Sequence, residues 1–339
     1  MRDQARNGHS EEALVEQSRS ISEAAEVPER LAGRRLDAVA AQLFPDYSRA
    51  RLQAWIQAGR LRVNGAVAAR PRVAVAAGDQ IDLDPEPLHD QAEGQRAQAI
   101  ALDVLYEDAD LAIINKPAGL TVHPGAGVAD GTLQNALLYR YPESVDLPRA
   151  GIVHRLDKHT SGVMVVARSL RAHTHLVRMM QAREIRRGYE AIVWGRLVSG
   201  GTVDAPIGRD PRSRTRMAVN ESGRTAVTHY RIQQRFAWHT LLAVQLETGR
   251  THQIRVHMRH IHHPIVGDDA YGGRRGHGKG IPQILRDHLE GFPRQALHAR
   301  RLQFAHPVHG EAVDIAAPIP ADFRALVEAL TQHAPDRGA

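Results

Sequence analysis

"GIVHRLDKHTSGVMVVARS", residues 151–169, sets His154, Arg155, Asp157, Lys158 and His159 between two apolar runs. Charged side chains in such a place are paired, capping a turn, or functional. The run from Gly162 to Arg168 reads as an apolar strand, so the charges sit in the loop that leads into it. A capping turn is the plain reading, because Asp, Thr and Ser all accept backbone N–H bonds. The spacing argues for more. Arg155 and Asp157 are two apart, so in an extended segment they share a face. A carboxylate that needs a partner to stay ionised would find it there, or in another Arg.

The surroundings of this stretch are rich in strands. "LAIINKPAGL", residues 111–120, is a buried strand running into a Pro-Gly turn. "RRGYEAIVWGRL", "TAVTHYRIQQRF", "HTLLAVQLETG" and "ALHARRLQFAHP" read as further strands. "GTLQNALLYRY" is a helix with Thr132 as its cap, and "LRAHTHLVRMMQAR" is an amphipathic helix with Leu176, Met179 and Met180 turned inward. "ADFRALVEALTQH" closes the chain as a helix. Strands follow one another without regular helical crossovers. That predicts an α+β domain over residues 101–330, with a mixed, mostly antiparallel sheet and flanking helices, rather than a doubly wound sheet.

Composition fits a globular protein. Of 339 residues, 42% are hydrophobic and 24% charged, enough to bury a core. With no cysteine, disulfides, zinc ribbons and thiol catalysis are excluded, and a cytoplasmic location is expected. No apolar run approaches the roughly 18 residues of a membrane span, and no secretory signal is read at the N-terminus.

Charge is uneven. Residues 1–29 carry three basic and seven acidic side chains, and read as a disordered acidic tail. Residues 30–72 carry nine Arg against Asp37 and Asp46, a net charge of +7. Such a basic segment suggests a polyanionic partner, most simply nucleic acid. Residues 30–84 read as a compact module. Leu36, Val39, Ala40 and Leu43 mark one helix, and Leu52, Trp55 and Ile56 mark a second, with Ser48 and Gly59 as caps. Arg49 and Arg51 fall away from the buried stripe, which makes them candidate contacts for such a polyanion. Asn64-Gly65 is a hairpin turn. Residues 85–100 read as a linker.

Three further stretches carry possible chemistry. "NKPAGLTVHPGAG" offers Lys116 and His123 in a glycine-rich loop, a loop type that approaches ligands closely. Its "GAGVADG" has the wrong spacing for a dinucleotide loop. "LETGRTHQIRVHMRHIHHP", residues 246–264, offers His252, His257, His260, His262 and His263 as a rival zinc site. Yet HExxH is missing, and Arg side chains among the ligands would repel a cation. "GRTHQIR" looks instead like a segment that aims Arg255 at a buried carboxylate. Tyr189 stands at the start of a strand, where a half-buried structural role is the bland reading. "IGRDPRSRTRMAV" is a basic hairpin suited to phosphates.

Taken together, residues 30–325 resemble the RluA family of RNA pseudouridine synthases. "HRLDKHTSG", followed by "TGRTHQIRVH", carries the likeness, and "SRARLQAWIQAGRLRVNG" resembles an S4 RNA-binding domain. The resemblance implies a pseudouridine synthase fold behind an S4 module and isomerisation of uridine to pseudouridine. The substrate it implies is large-subunit (23S) rRNA or the nascent large subunit, at the helix 69 stem-loop. No cofactor, no metal and no obligatory protein partner are implied. By match to the family motifs, Asp157 is the catalytic aspartate and Tyr189 the tyrosine that takes the carbon-5 proton. Arg255 is then the counter-ion of the aspartate, Ile254 its apolar neighbour near the base, and Arg155 the arginine that helps extrude the uridine. A rival reading keeps the S4 module but makes the second domain a ribosome-assembly chaperone without catalysis. A metal-dependent nuclease is a third reading. His159 departs from the small or acidic residue that many members carry after "HRLDK".

Overall fold

The structure is a computed structural model that describes residues 23–44, 47, 49–84, 96–125, 128–272 and 280–333, with the side chains of residues 50, 51, 214 and 215 excepted. They form two compact units, one within residues 1–90 and one within 91–339. Ser48, Gly127 and residues 85–95 of the expected linker lie outside the described residues. So does the side chain of Arg51.

In the first unit, β1 (Glu23–Glu26) precedes two helices, α1 (Leu36–Leu43) and α2 (Arg49–Gln57). Three short strands follow: β2 (Leu61–Val63), β3 (Ala66–Val67) and β4 (Gln80–Leu83). They form an antiparallel sheet in the order β1-β4-β2-β3. Leu36, Val39, Leu52, Trp55 and Ile56 are buried, as their helical spacing requires. Asn64 and Gly65 have φ of 51° and 78°, the two left-handed residues of a type I′ hairpin. The unit begins earlier than the sequence suggests. Residues 23–29 belong to the expected disordered tail, yet Glu23–Glu26 pair with Gln80–Leu83 along the whole of β4. The small Ala24 and Ala25 fit a sheet edge, and the buried Val27 anchors the turn that follows.

The second unit is built on nine strands. β5 (Asp103–Glu107), β6 (Leu111–Lys116), β7 (Ser161–Ala167), β8 (Arg186–Trp194) and β9 (Gly201–Asp204) come first. β10 (Ile207–Asp210) and β11 (Ser213–Val219) form a separate basic hairpin. β12 (Val227–Arg235), β13 (His239–Leu246), β14 (Leu297–Ala305) and β15 (Ala312–Ala316) complete the large sheet. Its order is β5-β6-β7-β14-β8-β13-β12-β9, with β15 against β14. Only β7 and β14 run parallel, so the sheet is mixed and mostly antiparallel. The helices are α3 (Leu133–Arg140), α4 (Leu170–Ala182), α5 (Gln253–His260), α6 (Gln283–Gly291) and α7 (Ala321–Gln332). Residues 96–100, also taken for linker, are tied to this unit. The Asn135 amide donates to the Arg96 carbonyl at 2.8 Å, and Gln98 accepts from the Gly131 N–H at 2.7 Å.

β7 explains where the site lies. All seven of its residues are buried, because it is covered on both faces. The loop before it can therefore be held from several sides. At its start the chain crosses β14 so closely that a Cβ on Gly162 would sit 2.1 Å from the Ala299 carbonyl oxygen, and its φ is +116°. Only glycine fits there. We expect Gly162→Ala to lower stability by roughly 2–4 kcal/mol, since both the backbone conformation and the close approach are lost. A thermal or urea midpoint within error of the wild type would contradict this.

Candidate active site

A cleft of about 1120 Å³ opens in the second unit beside the loop Ile152–Thr160. Five sequence-chosen residues line it around Asp157: His123, Arg155, Tyr189, Ile254 and Arg255. Arg155 and Asp157 do not lie in a strand, since residues 153–160 are irregular. They still line the same cleft, as does the buried Leu156 between them.

The loop is fixed at both ends and along its second half. His154 Nε2 accepts the Val165 N–H at 3.1 Å. The Thr160 N–H returns to the Asp157 carbonyl at 3.0 Å. The Lys158 carbonyl receives the Gly119 N–H at 2.8 Å and Lys116 Nζ at 3.1 Å. Lys116 also donates to the carbonyls of Pro117 and Leu120, at 2.8 and 2.9 Å. Lys116, expected from its loop to approach a ligand, is instead fully buried. Its three acceptors make it the clamp of two loops, and burial lowers its pKa to about 7.

Asp157 meets its partner from α5. Arg255 Nη1 donates to Asp157 Oδ2 at 3.0 Å, with the two side chains 10% and 17% exposed. The other edge of the guanidinium is gripped by Asp268, with Nε and Nη2 donating at 2.7 and 2.9 Å. Asp268 is wholly buried. The Tyr271 ring lies 4.9 Å from the guanidinium carbon. Burial alone would lower the Arg255 pKa, but the bonds and charge of Asp268, aided by Asp157, raise it further. Asp268 was not singled out from sequence. The available signal was a buried Arg with two donor edges and one assigned carboxylate.

The start of α5 is held by Gln253. Its oxygen accepts from Arg250 N–H at 3.0 Å and the Thr248 hydroxyl at 2.8 Å. Its amide donates to the Val227 carbonyl at 2.9 Å and to the Thr228 hydroxyl at 3.0 Å. The histidines of this stretch have separate partners. His252 Nδ1 lies 2.8 Å from the Tyr271 hydroxyl, and His257 bonds Thr228 and the Ala205 carbonyl. His263 Nδ1 bonds the Trp194 carbonyl at 2.7 Å. Among the described residues no three His, Cys, Asp or Glu side chains gather as a metal-binding group.

Tyr189 projects from β8 and is buried, which raises its pKa. The charge of Arg187 opposes that rise and the charge of Asp157 adds to it. Its hydroxyl therefore stays a neutral phenol near pH 7. The cleft is otherwise cationic. Arg149, Arg155, Arg183, Arg187, Arg250 and Arg255 line it against two carboxylates, Asp157 and Glu247. Arg183 is paired with Glu247 at 3.0 Å. Of these, Arg149, Arg183, Arg187 and Arg250 were not picked out, because nothing in their local pattern shows that one cleft collects them.

Arg49 lies off the buried stripe, as expected, but it also carries a structural pairing. In the first unit its guanidinium, 50% exposed, donates to the buried Asp37 at 2.9 and 3.2 Å. Arg35 grips the same carboxylate at 2.8 and 3.0 Å. Burial would raise the Asp37 pKa, but hydrogen bonds from Gln53, Arg35 and Arg49 lower it to about 2. Arg49 is thus first a structural partner of α1, and it has fewer donors left for phosphate.

The comparisons with known proteins agree with this architecture. The model of the family described as RNA pseudouridylate synthase matches residues 110–260, and that of the S4 domain matches residues 34–81. Ribosomal large subunit pseudouridine synthase D of Pseudomonas aeruginosa is 55% identical over 313 residues, covering 92% of this chain and 97% of the relative. The protein of that name from Escherichia coli K12 is 52% identical over 306 residues, covering 90% and 93%. Among solved structures, human RNA Pseudouridylate Synthase Domain Containing 4 is 27% identical, with a TM-score of 0.53 over 68% of this chain and 93% of that one.

One consequence concerns acid stability. His154 has its Nε2 occupied as an acceptor, and burial, helped by the charge of Arg187, drops its pKa to about 3. The unfolded chain binds the proton at about 6.5. Between these values the unfolded state holds more protons, so stability falls as pH drops from 6.5 toward 3. We expect His154→Gln, whose carbonyl can accept from Val165, to flatten this fall. Parallel pH–stability curves for both proteins would refute it.

Proposed function

The chain belongs to the family of RNA pseudouridine synthases, and on that premise we propose that Asp157 is its catalytic aspartate and large-subunit (23S) rRNA its substrate. The enzyme is an isomerase acting on rRNA. The finer target, the helix 69 stem-loop, is part of this proposal. The single observation that carries the assignment is the Asp157 carboxylate, seated in the cleft with one oxygen fixed by Arg255 and the other, Oδ1, left for chemistry. The names of the relatives supply the substrate.

The target uridine must leave its stack to enter the cleft, because the reacting atoms are inaccessible within paired RNA. The exposed Arg155, beside Asp157 on the same loop, is placed to fill the gap the base leaves. Asp157 then attacks the ribose carbon, or removes a ribose proton, and the bond from that carbon to N1 breaks. The freed uracil turns, with Ile254 forming part of the wall it turns against. A new bond forms from the ribose carbon to carbon 5 as its bond to Asp157 breaks, or as Asp157 returns the ribose proton; the hydrogen of carbon 5 leaves to solvent, and N1 gains a proton. The atoms balance without a net oxidant or reductant. Tyr189 enters as a neutral phenol, so it serves as a relay for the carbon-5 proton, taking it while giving up its own. Arg255 neutralises half of the local negative charge before the reaction and need not move during it. His123 faces the same space, held at 3.3 Å from Gln134, and is assigned to RNA contact. The first unit, with its S4 match, adds RNA affinity.

Two outcomes test this. Asp157→Asn should reduce tritium release from carbon-5-labelled uridine in rRNA by about a thousandfold or more, with RNA binding kept. Release equal to wild type would sink the catalytic assignment, and no release from the wild type itself would leave the assembly-chaperone reading. Neutralising Arg149 and Arg155 on the cleft rim to Gln should each lower the slope of log affinity against log salt by about 1, because each phosphate contact releases counterion. An unchanged slope would place the RNA backbone elsewhere.

A further inference from the structure

His252 has no role in the assignments above, yet the fold holds it at some cost. It stands at the N-terminal boundary of α5 with φ 58° and ψ 20°, a left-handed conformation that side chains with a Cβ rarely adopt. Its side chain makes no capping hydrogen bond, so capping does not account for it. Strained residues of this kind persist where the surrounding structure determines them, often at functional sites.

The ring is turned toward Asp157. Nε2 lies 3.9 Å from Asp157 Oδ1, the oxygen that Arg255 does not hold. Nδ1 lies 2.8 Å from the Tyr271 hydroxyl, and the two rings meet edge-on at 5.7 Å. The tautomer follows from counting protons. The Tyr271 hydroxyl accepts the Met217 N–H at 2.9 Å. Tyr271 is buried, so its own proton needs an acceptor, and among the described residues His252 Nδ1 is the one in reach. Nδ1 therefore accepts, and Nε2 carries the hydrogen. That hydrogen faces Oδ1 across a gap about one ångström too long for a hydrogen bond. Burial lowers the His252 pKa, against the pull of Asp157, so the ring is neutral when it faces the carboxylate.

We propose that His252 is a positioning residue for the pseudouridine reaction, its Nε2–H fixing the Oδ1 oxygen of Asp157 when RNA closes on the cleft. The proposal rests on the reading of Asp157 as the catalytic carboxylate. A carboxylate held at one oxygen still swings about that contact, and a second donor stops the swing. A neutral donor does so without adding a second positive charge, which would quench the carboxylate that Arg255 already partly neutralises. The left-handed backbone is what brings the ring over Oδ1, and Tyr271 sets which nitrogen faces it.

The test measures pseudouridine formation on an rRNA transcript, at saturating and at limiting RNA, for full-length wild type, His252→Gly, His252→Gln and Asp157→Asn. Glycine suits the left-handed backbone, so His252→Gly should keep or raise the thermal midpoint. Its kcat should fall roughly ten- to a hundredfold, the scale on which misplacing a reacting group by an ångström acts. KM should change less than twofold, a split that a loss of folding or of RNA binding would not give. The Gln side chain carries an amide N–H about where Nε2 stood, so His252→Gln should recover most of kcat. A His252→Gly enzyme with wild-type kcat overturns the proposal, as does a defect confined to KM or one that Gln leaves as deep as Gly does. If Asp157→Asn is itself active, the reading of Asp157 fails. If it is inactive while His252→Gly matches wild type, only the role of His252 fails.

Discussion

Arg255 lies between two carboxylates, and the rest of the second unit is arranged to keep it there. Taking a guanidinium out of water costs several kcal/mol unless its donors are matched. Asp268 matches one edge with two bonds, and Asp157 takes the remaining Nη1. Asp268 is wholly buried, and among the described residues Arg255 is its ion-pair partner. It also accepts the Ala270 and Tyr271 N–H groups, at 3.1 and 3.2 Å. The cation is thus anchored on its far side before Asp157 is considered. Asp157 can give up or share its own contact without releasing Arg255, which suits a carboxylate that must react.

The other half of the pair needs an equally fixed loop. Residues 154–160 are not regular structure, so their backbone groups need partners from elsewhere. Lys116, from the end of β6, and the Gly119 N–H supply the Lys158 carbonyl, while the His154 side chain ties the loop to the Val165 N–H of β7. Arg294 reaches the His159 carbonyl at 3.4 Å while Asp322, on α7, holds the same guanidinium at 2.6 and 2.9 Å. The loop is therefore tied to the central strands and to the closing helix at once. A reactive side chain on an irregular segment gains the precision of a rigid scaffold by this means. His159, the departure from the family pattern, contributes its backbone carbonyl to that tie.

Charge in the cleft follows a division of labour. Exposed arginines at the rim draw a polyanion. Inside, burial keeps His154, His252 and Tyr189 neutral, so the charge near the reacting carboxylate is set by Arg255. An interior of protonated histidines would have bound Asp157 too strongly for it to act.

The sequence by itself determined the elements that local pattern governs. The apolar run of β7, the Thr132 cap of α3, the Asn64-Gly65 hairpin and the inward face of α4 all follow from neighbours within a few residues. The motif pair around Asp157 and Arg255 was legible too, because a charged loop between apolar runs and a basic segment after a strand both need partners. Tertiary structure decided what depends on residues far apart in the chain. Asp268, thirteen residues beyond Arg255, is its strongest partner, and nothing in its local sequence marks it. Lys116 and Arg49 had the local look of RNA contacts, yet burial turned one into a loop clamp, and the other, though half-exposed, is paired with Asp37. Glu23–Glu26 had the composition of a tail, and became strand because β4 offered an open edge. Local pattern fixes the shape of an element, whereas its partners come from distant segments, and burial and charge are set by those partners.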